Sequence, residues 1–219
     1  MELSPTDGRT VVPLSRTAWA TERLRSDILS GELAPGSRLV PRLLCERYSV
    51  SATPLREAMQ SLSREGLVEL TPQLGARVSP LSAHEAKDLF ELRIKLEPEA
   101  IFRSLSLAPP ERFEQIAHAY HAMGTNQDSR TFVEEHNRFH RLARIDCDSE
   151  WLLRLVDLLA INCGRYRRVR RLDASVEAEH RDIAAAVASR SPLKTAEMVE
   201  KHLLVTFDYV SSILGLEAD

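Results

Sequence analysis

The chain has 219 residues, 43% of them hydrophobic and 28% charged, with a formal net charge of -3. That length suits one large or two small domains, and the near-neutral balance excludes a generic polyanion binder. Cys45, Cys147 and Cys163 show no paired spacing, so neither a disulfide framework nor a zinc ribbon is implied and a reducing, cytoplasmic setting fits. No signal-like start and no apolar run of membrane length is seen, so no membrane partner is expected. Charge is uneven: residues 1–81 hold ten Arg, no Lys and nine acidic residues, which alone does not prove DNA binding.

Residues 1–15, with Pro5, Gly8 and Pro13, read as a loose arm. A first helix is predicted over 16–30, with Trp19, Leu24, Ile28 and Leu29 as its apolar stripe and Gly31 as its stop. Pro35-Gly36 forces a turn. A short helix follows from Pro41, with Leu43, Leu44 and Tyr48 inward, and Ser49-Val50-Ser51 breaks it. Ser51 or Thr53 can cap a third helix that buries Leu55, Ala58, Met59 and Leu62 and ends near Gly66. Leu67 to Leu70 and Ala76 to Val78 are strand signals around Pro72 to Gly75. This defines a winged helix-turn-helix domain over 16–80.

Beyond Pro80 the pattern is all helical: 83–105, 110–123, 129–145, 149–171, 173–189 and 192–215. The expected fold is therefore mainly α, with an antiparallel six-helix bundle over 81–219.

Two constellations carry chemistry. The third helix presents Ser51, Thr53 and Arg56 at its N-terminal end, the end that meets base edges in the major groove. Arg56 can fork onto guanine or clamp a phosphate. Arg42, Arg47 and Arg64 read equally well as solvated charge. In the bundle, His136 and His140 share a helix face, while His180 and His202 lie on the apolar faces of two later helices. Four imidazoles could meet around a Zn²⁺ or Ni²⁺ ion, or each could be a hydrogen-bonded core residue. Glu135 and Glu179 fall outside the inward stripe. His118 and His121 read as ordinary partly exposed residues, the run from Gly164 to Arg171 as a solvated basic helix end, and the cysteines as small apolar fillers.

The order ILSGELAPGSRL, LCERYSVSATPLREAMQSLSREGLVEL and GARV resembles the winged head of the GntR family of bacterial transcription regulators over residues 17–80. The resemblance implies DNA contacts from Arg38, Thr53 and Arg56, and a wing built on Gly75 and Arg77. It also implies a two-fold homodimer on an inverted-repeat operator, repression being the family's commoner mode. This chain departs from the family pattern at Ala52, where many members carry Arg, and at Ser49, where Gly is frequent.

Residues 83–215 are similar to the FCD effector domain of the FadR branch, with FHRLA, EHRDIAAAV and EKHLL in family order. The resemblance implies that His140, His180 and His202 are metal ligands, with His136 standing where the family has Asp. An added imidazole tilts the site towards Zn²⁺, Ni²⁺ or Cu²⁺. A small carboxylate effector is then expected, with Arg93 facing it; an Arg93–Glu97 surface pair is the alternative. Asn162 is a weaker effector-binding candidate. A metal-dependent enzyme fused to a DNA-binding module, and a regulator with a purely structural metal, are the competing functions.

Overall fold

The computed structural model describes residues 15–124, 130–166 and 174–215. The expected arm lies outside these residues except for Ser15, and so does the basic run beyond Tyr166. The chain divides into two compact units. One holds residues up to Ile28 and Glu32–Ser79; the other holds Leu29–Gly31 and the chain from Pro80.

The first unit runs α1 (Arg16–Leu29), β1 (Arg38–Leu39), α2 (Pro41–Tyr48), α3 (Ala52–Arg64), β2 (Val68–Thr71) and β3 (Gly75–Val78). The strands form an antiparallel sheet in the order β1-β3-β2. Pro41 opens α2 at a position where its missing N–H costs nothing. Ser49 ends that helix in the left-handed region, at φ 51. Leu55, Ala58, Met59 and Leu62 are all buried, as their spacing requires. Tyr48 donates to the buried Asp27 at 2.7 Å, and Arg47 pairs with the same carboxylate at 3.0 Å, locking α2 to α1.

Two expectations are corrected in this unit, and one element is added. Leu43 is 54% exposed. Adjacent helical side chains diverge by about 100°, so an eight-residue helix buries Leu44 and turns Leu43 out. Trp19 is 42% exposed and meets Tyr48 edge-on, while Ala20, Leu24 and Ile28 form the buried face of α1. The two-residue strand β1 had no detectable pattern.

The second unit contains α4 (Ala83–Leu107), α5 (Pro110–Met123), α6 (Arg130–Arg144), α7 (Glu150–Gly164), α8 (Ala174–Ala188) and α9 (Pro192–Leu214). Ser82, Ser149 and Ser191 cap α4, α7 and α9 through their side-chain oxygens. The main core joins Ile101, Ile116, Phe139, Ile183 and Leu203 from five helices. A second core joins Phe90, Cys163, Tyr166 and Val210.

The predicted helix over 149–171 stops at Gly164. Arg165 and Tyr166 turn inward instead of continuing as a solvated basic end. Arg165 pairs with Glu85 at 2.6 Å. The Tyr166 hydroxyl accepts from the Ser82 N–H at 3.2 Å and lies 2.5 Å from the Glu85 carboxylate. Burial, followed by the Glu85 hydrogen bond, raises the Tyr166 pKa, so this phenol stays protonated. These contacts anchor the first turn of α4 to the end of α7. His118 and His121 are exposed, as their sequence setting suggested.

Candidate functional site

In the first unit, Ser51 is the N-cap residue of α3, and Thr53 and Arg56 follow it on the exposed side of the helix. The Ser51 side chain makes no capping hydrogen bond. Arg38 and Arg77 are directly opposed across β1 and β3, both exposed. Two like charges side by side repel, and Arg77 is partly neutralised by Glu69 at 2.6 Å. Gly75 has φ +92, and a Cβ there would stand 4.0 Å from an Arg38 guanidinium nitrogen. The sheet therefore gathers Arg38, Gly75 and Arg77 in one place, and the end of α3 gathers Ser51, Thr53 and Arg56. Arg47 is committed to Asp27 and Glu32, and Arg42 lies 3.7 Å from Glu46.

In the second unit, α6, α8 and α9 bring four histidines together. One ring nitrogen from each of His136, His140, His180 and His202 lies within 4.8 Å of the other three. His140 Nε2 and His180 Nε2 are 3.3 Å apart. His140, His180 and His202 are buried and His136 is partly so. Burial, then the neighbouring His136, His202, His180 and Arg93, push His140 well below the ordinary imidazole range. At neutral pH it is an uncharged ring with a lone pair to offer. Its Nδ1 is buried with no hydrogen-bond partner among the described residues.

The donor set fits a borderline divalent cation. Zinc–imidazole bonds of about 2.0–2.1 Å place neighbouring tetrahedral ligands about 3.3–3.4 Å apart, the spacing between His140 and His180. The separations in the cluster reach up to 4.8 Å, as much as about 1.4 Å more than that spacing, so the rings would draw together on binding. Neutral nitrogen donors suit zinc, nickel or copper better than magnesium or calcium.

Two carboxylates that the periodicity left out belong to these surroundings. Glu179 was expected outside the inward stripe; instead its Oε2 lies 2.7 Å from His202 Nδ1. The helical stripe gives the direction of Cβ but not the reach of a long side chain. Glu97 is wholly buried and pairs with Arg93, one turn before it on α4. Its other oxygen accepts from Arg144 at 3.2 Å, and Arg144 also holds Asp157 at 2.8 Å. Arg93 is thus neither an exposed surface pair nor an uncommitted cavity cation. Burial disfavours its charge, and Glu97 and Cys163 more than restore it. Arg144 continues the spacing of His136 and His140 along α6, a signal the sequence does carry. The buried Asn162 donates its side-chain amide to Leu158 O at 2.9 Å. Glu135 pairs with Arg138 on the same helix.

A winged helix-turn-helix with an exposed basic reading end, joined in one chain to a six-helix unit with its own cluster of ligand-type side chains, is the architecture of a transcription regulator. The model for bacterial regulatory proteins of the gntR family matches residues 17–78, and the FCD domain model matches residues 88–204. The chain belongs to the GntR family and carries an FCD domain.

Among its relatives is the HTH-type transcriptional regulator BphR of Paraburkholderia xenovorans, 33% identical over 83% of this chain and 80% of that protein. Another is the HTH-type transcriptional repressor GlaR of Escherichia coli, 28% identical over 94% and 99%. These relatives are regulators, not enzymes. In fold, the chain resembles the McbR/YncC structure from E. coli, with TM-score 0.78 and 16% identity over 91% of this chain and 98% of that one. It also resembles a GntR regulator from Rhodococcus sp. RHA1, with TM-score 0.72 and 22% identity over 94% and 100%. No helix among the described residues is long and apolar enough to cross a membrane.

Proposed function

We propose that this regulator senses a small organic acid through a divalent transition metal, zinc or nickel, held by His136, His140, His180 and His202. The observation that carries the reading is the approach of four ring nitrogens from three helices to within 4.8 Å. Once bound, such an ion supplies a positive, electrophilic position at which an organic carboxylate can bind.

The protein's own groups supply the rest. Arg93 adds positive potential beside His140. Because Glu97 already occupies Arg93, the guanidinium would steer an acid, or exchange partners with it, but would not be its first anchor. Asn162, whose side-chain amide donates to Leu158 O, would be the weaker effector contact.

On the output side, Ser51, Thr53 and Arg56 would enter the major groove. Arg38, Gly75 and Arg77 would follow the phosphates beside it. Residues 16–80 would read double-stranded DNA as one half of a homodimer on an inverted repeat, and residues 81–219 would sense and dimerise. Repression would follow the role of the E. coli repressor GlaR, and the setting would be the cytoplasm.

The test is an operator titration, with the DNA selected by the protein from a random pool. Affinity is measured for metal-free protein, zinc-loaded protein and zinc-loaded protein with a panel of small carboxylates. The proposal expects at least one acid to change affinity in the loaded form alone. An equal response without metal, or none to any acid, would contradict it. The burial of His140, His180 and His202 favours a second reading, a metal that only staples helices. That reading expects a large loss of melting temperature on chelation with no effector response.

A further inference from the structure

Glu179 sits on α8 next to His180, yet its side chain turns to His202 on α9, with Oε2 2.7 Å from Nδ1. A carboxylate can only accept, so Nδ1 carries the proton in this pair. The lone pair of His202 is then left on Nε2, on the far side of the ring. The His202 ring lies 4.7 Å from that of His180 and 5.4 Å from that of His140, centre to centre. The ring therefore has a carboxylate on one nitrogen and the imidazole cluster beside it. Glu97 faces the same region but is held by Arg93 and Arg144. Four neutral imidazoles do nothing to balance a divalent charge, and Glu179 brings a carboxylate within one ring of the cluster.

We propose that Glu179 is the positioning residue of the metal centre. It fixes His202 in the Nδ1–H tautomer, orients its ring and makes Nε2 a stronger donor. This is the role that carboxylates hydrogen-bonded to metal-bound histidines play generally. The inference rests on the metal reading above and adds a residue outside the four histidines.

The experiment uses full-length, tag-free protein. Zn²⁺ affinity is measured by competition with a chelator, and the Co²⁺-loaded forms are compared by visible absorption. The variants are Glu179→Gln and Glu179→Leu. Gln keeps the volume and can hydrogen-bond, but it lacks the charge and can also donate, which permits the wrong tautomer. Zn²⁺ affinity should fall about 10–100-fold in Glu179→Gln and at least as far in Glu179→Leu. The Co²⁺ bands should shift, while metal-free Glu179→Gln should melt with the wild type. A helix-tying role alone would leave the Co²⁺ spectrum unmoved. Wild-type metal uptake with unchanged affinity and superimposable spectra in both variants would overturn the role of Glu179 and leave the metal centre standing. Failure of the wild type to take up either ion would remove the metal centre itself, and the role of Glu179 with it.

Discussion

Arg144, in the last turn of α6, donates to the wholly buried carboxylate of Glu97 on α4 at 3.2 Å. Arg93 takes the other oxygen. Two guanidinium groups thus depend on one buried acid. Removing that acid leaves both charges short of a partner, and breaking a buried pair in this way costs about 3–5 kcal/mol. Glu97→Ala is expected to lose that much in urea unfolding, and Glu97→Gln somewhat less. Burial pushes the Glu97 carboxyl up, but Arg93 and then Arg144 outweigh it and hold it below its ordinary range. Its contribution is therefore present above the unfolded carboxylate pKa and lost as pH falls through the folded value. Wild type should lose stability in acid more steeply than Glu97→Gln.

His140 is a base held neutral by burial and by its cationic and imidazole neighbours. Its folded pKa lies below its unfolded one, so folding favours the unprotonated ring. The contribution is complete above the unfolded value and shrinks as pH falls through it towards the folded value. Metal-free protein should lose stability below about pH 6.5, by up to roughly 1.4 kcal/mol per pH unit for one proton. His140→Leu should flatten that slope. Parallel pH curves for the two proteins, measured by chemical denaturation, would count against the buried neutral ring.

Arg56 and Arg38 are expected to fail in different ways on DNA. Arg56→Ala, at the reading end of α3, should cost about 1–3 kcal/mol on the selected operator and relax its sequence preference. Arg38→Ala, on the sheet opposite Arg77, should weaken all sequences alike and reduce the salt slope by about 1. Fluorescence anisotropy at several salt concentrations distinguishes the two. Unchanged operator affinity in Arg56→Ala would remove it from the interface.

Ser49 holds φ 51 at the turn between α2 and α3. Its Cβ makes that region costly by roughly 1–2 kcal/mol, a penalty glycine does not carry. Ser49→Gly should therefore raise stability by up to about 1 kcal/mol, the greater freedom of unfolded glycine offsetting part of the gain. A lower urea midpoint would show that the serine side chain contributes something the φ angle does not reveal.

The reading head was legible because its signals are local. Leu55, Ala58, Met59 and Leu62 repeat at helical spacing and are buried together, and glycines such as Gly31 and Gly36 sit at positive φ, where the chain turns. The four histidines were legible for a related reason, since each lies on an apolar face. What escaped depends on the packing of distant elements. Leu43 and Leu44 are equally apolar, and only the placement of α2 decides which is buried. Glu179 lies off its helix's inward stripe and still reaches His202, because α9 passes within the length of its side chain. Arg93 and Glu97 show i, i+4 spacing that fits a surface pair. Arg144, coming from α6, shows them to be part of a buried network. The basic run past Gly164 continues the helical pattern of α7 in the sequence, whereas the helix ends at Gly164 and Tyr166 finds Ser82 and Glu85, more than eighty residues earlier.

The central claim is that four imidazoles hold an ion, and elemental analysis of purified, tag-free protein tests it most directly. About one transition-metal ion per chain is expected in the wild type, and essentially none in the His140→Ala/His202→Ala double variant. Equal metal content in the two proteins, or a wild type without metal after incubation with zinc and nickel, would contradict the claim.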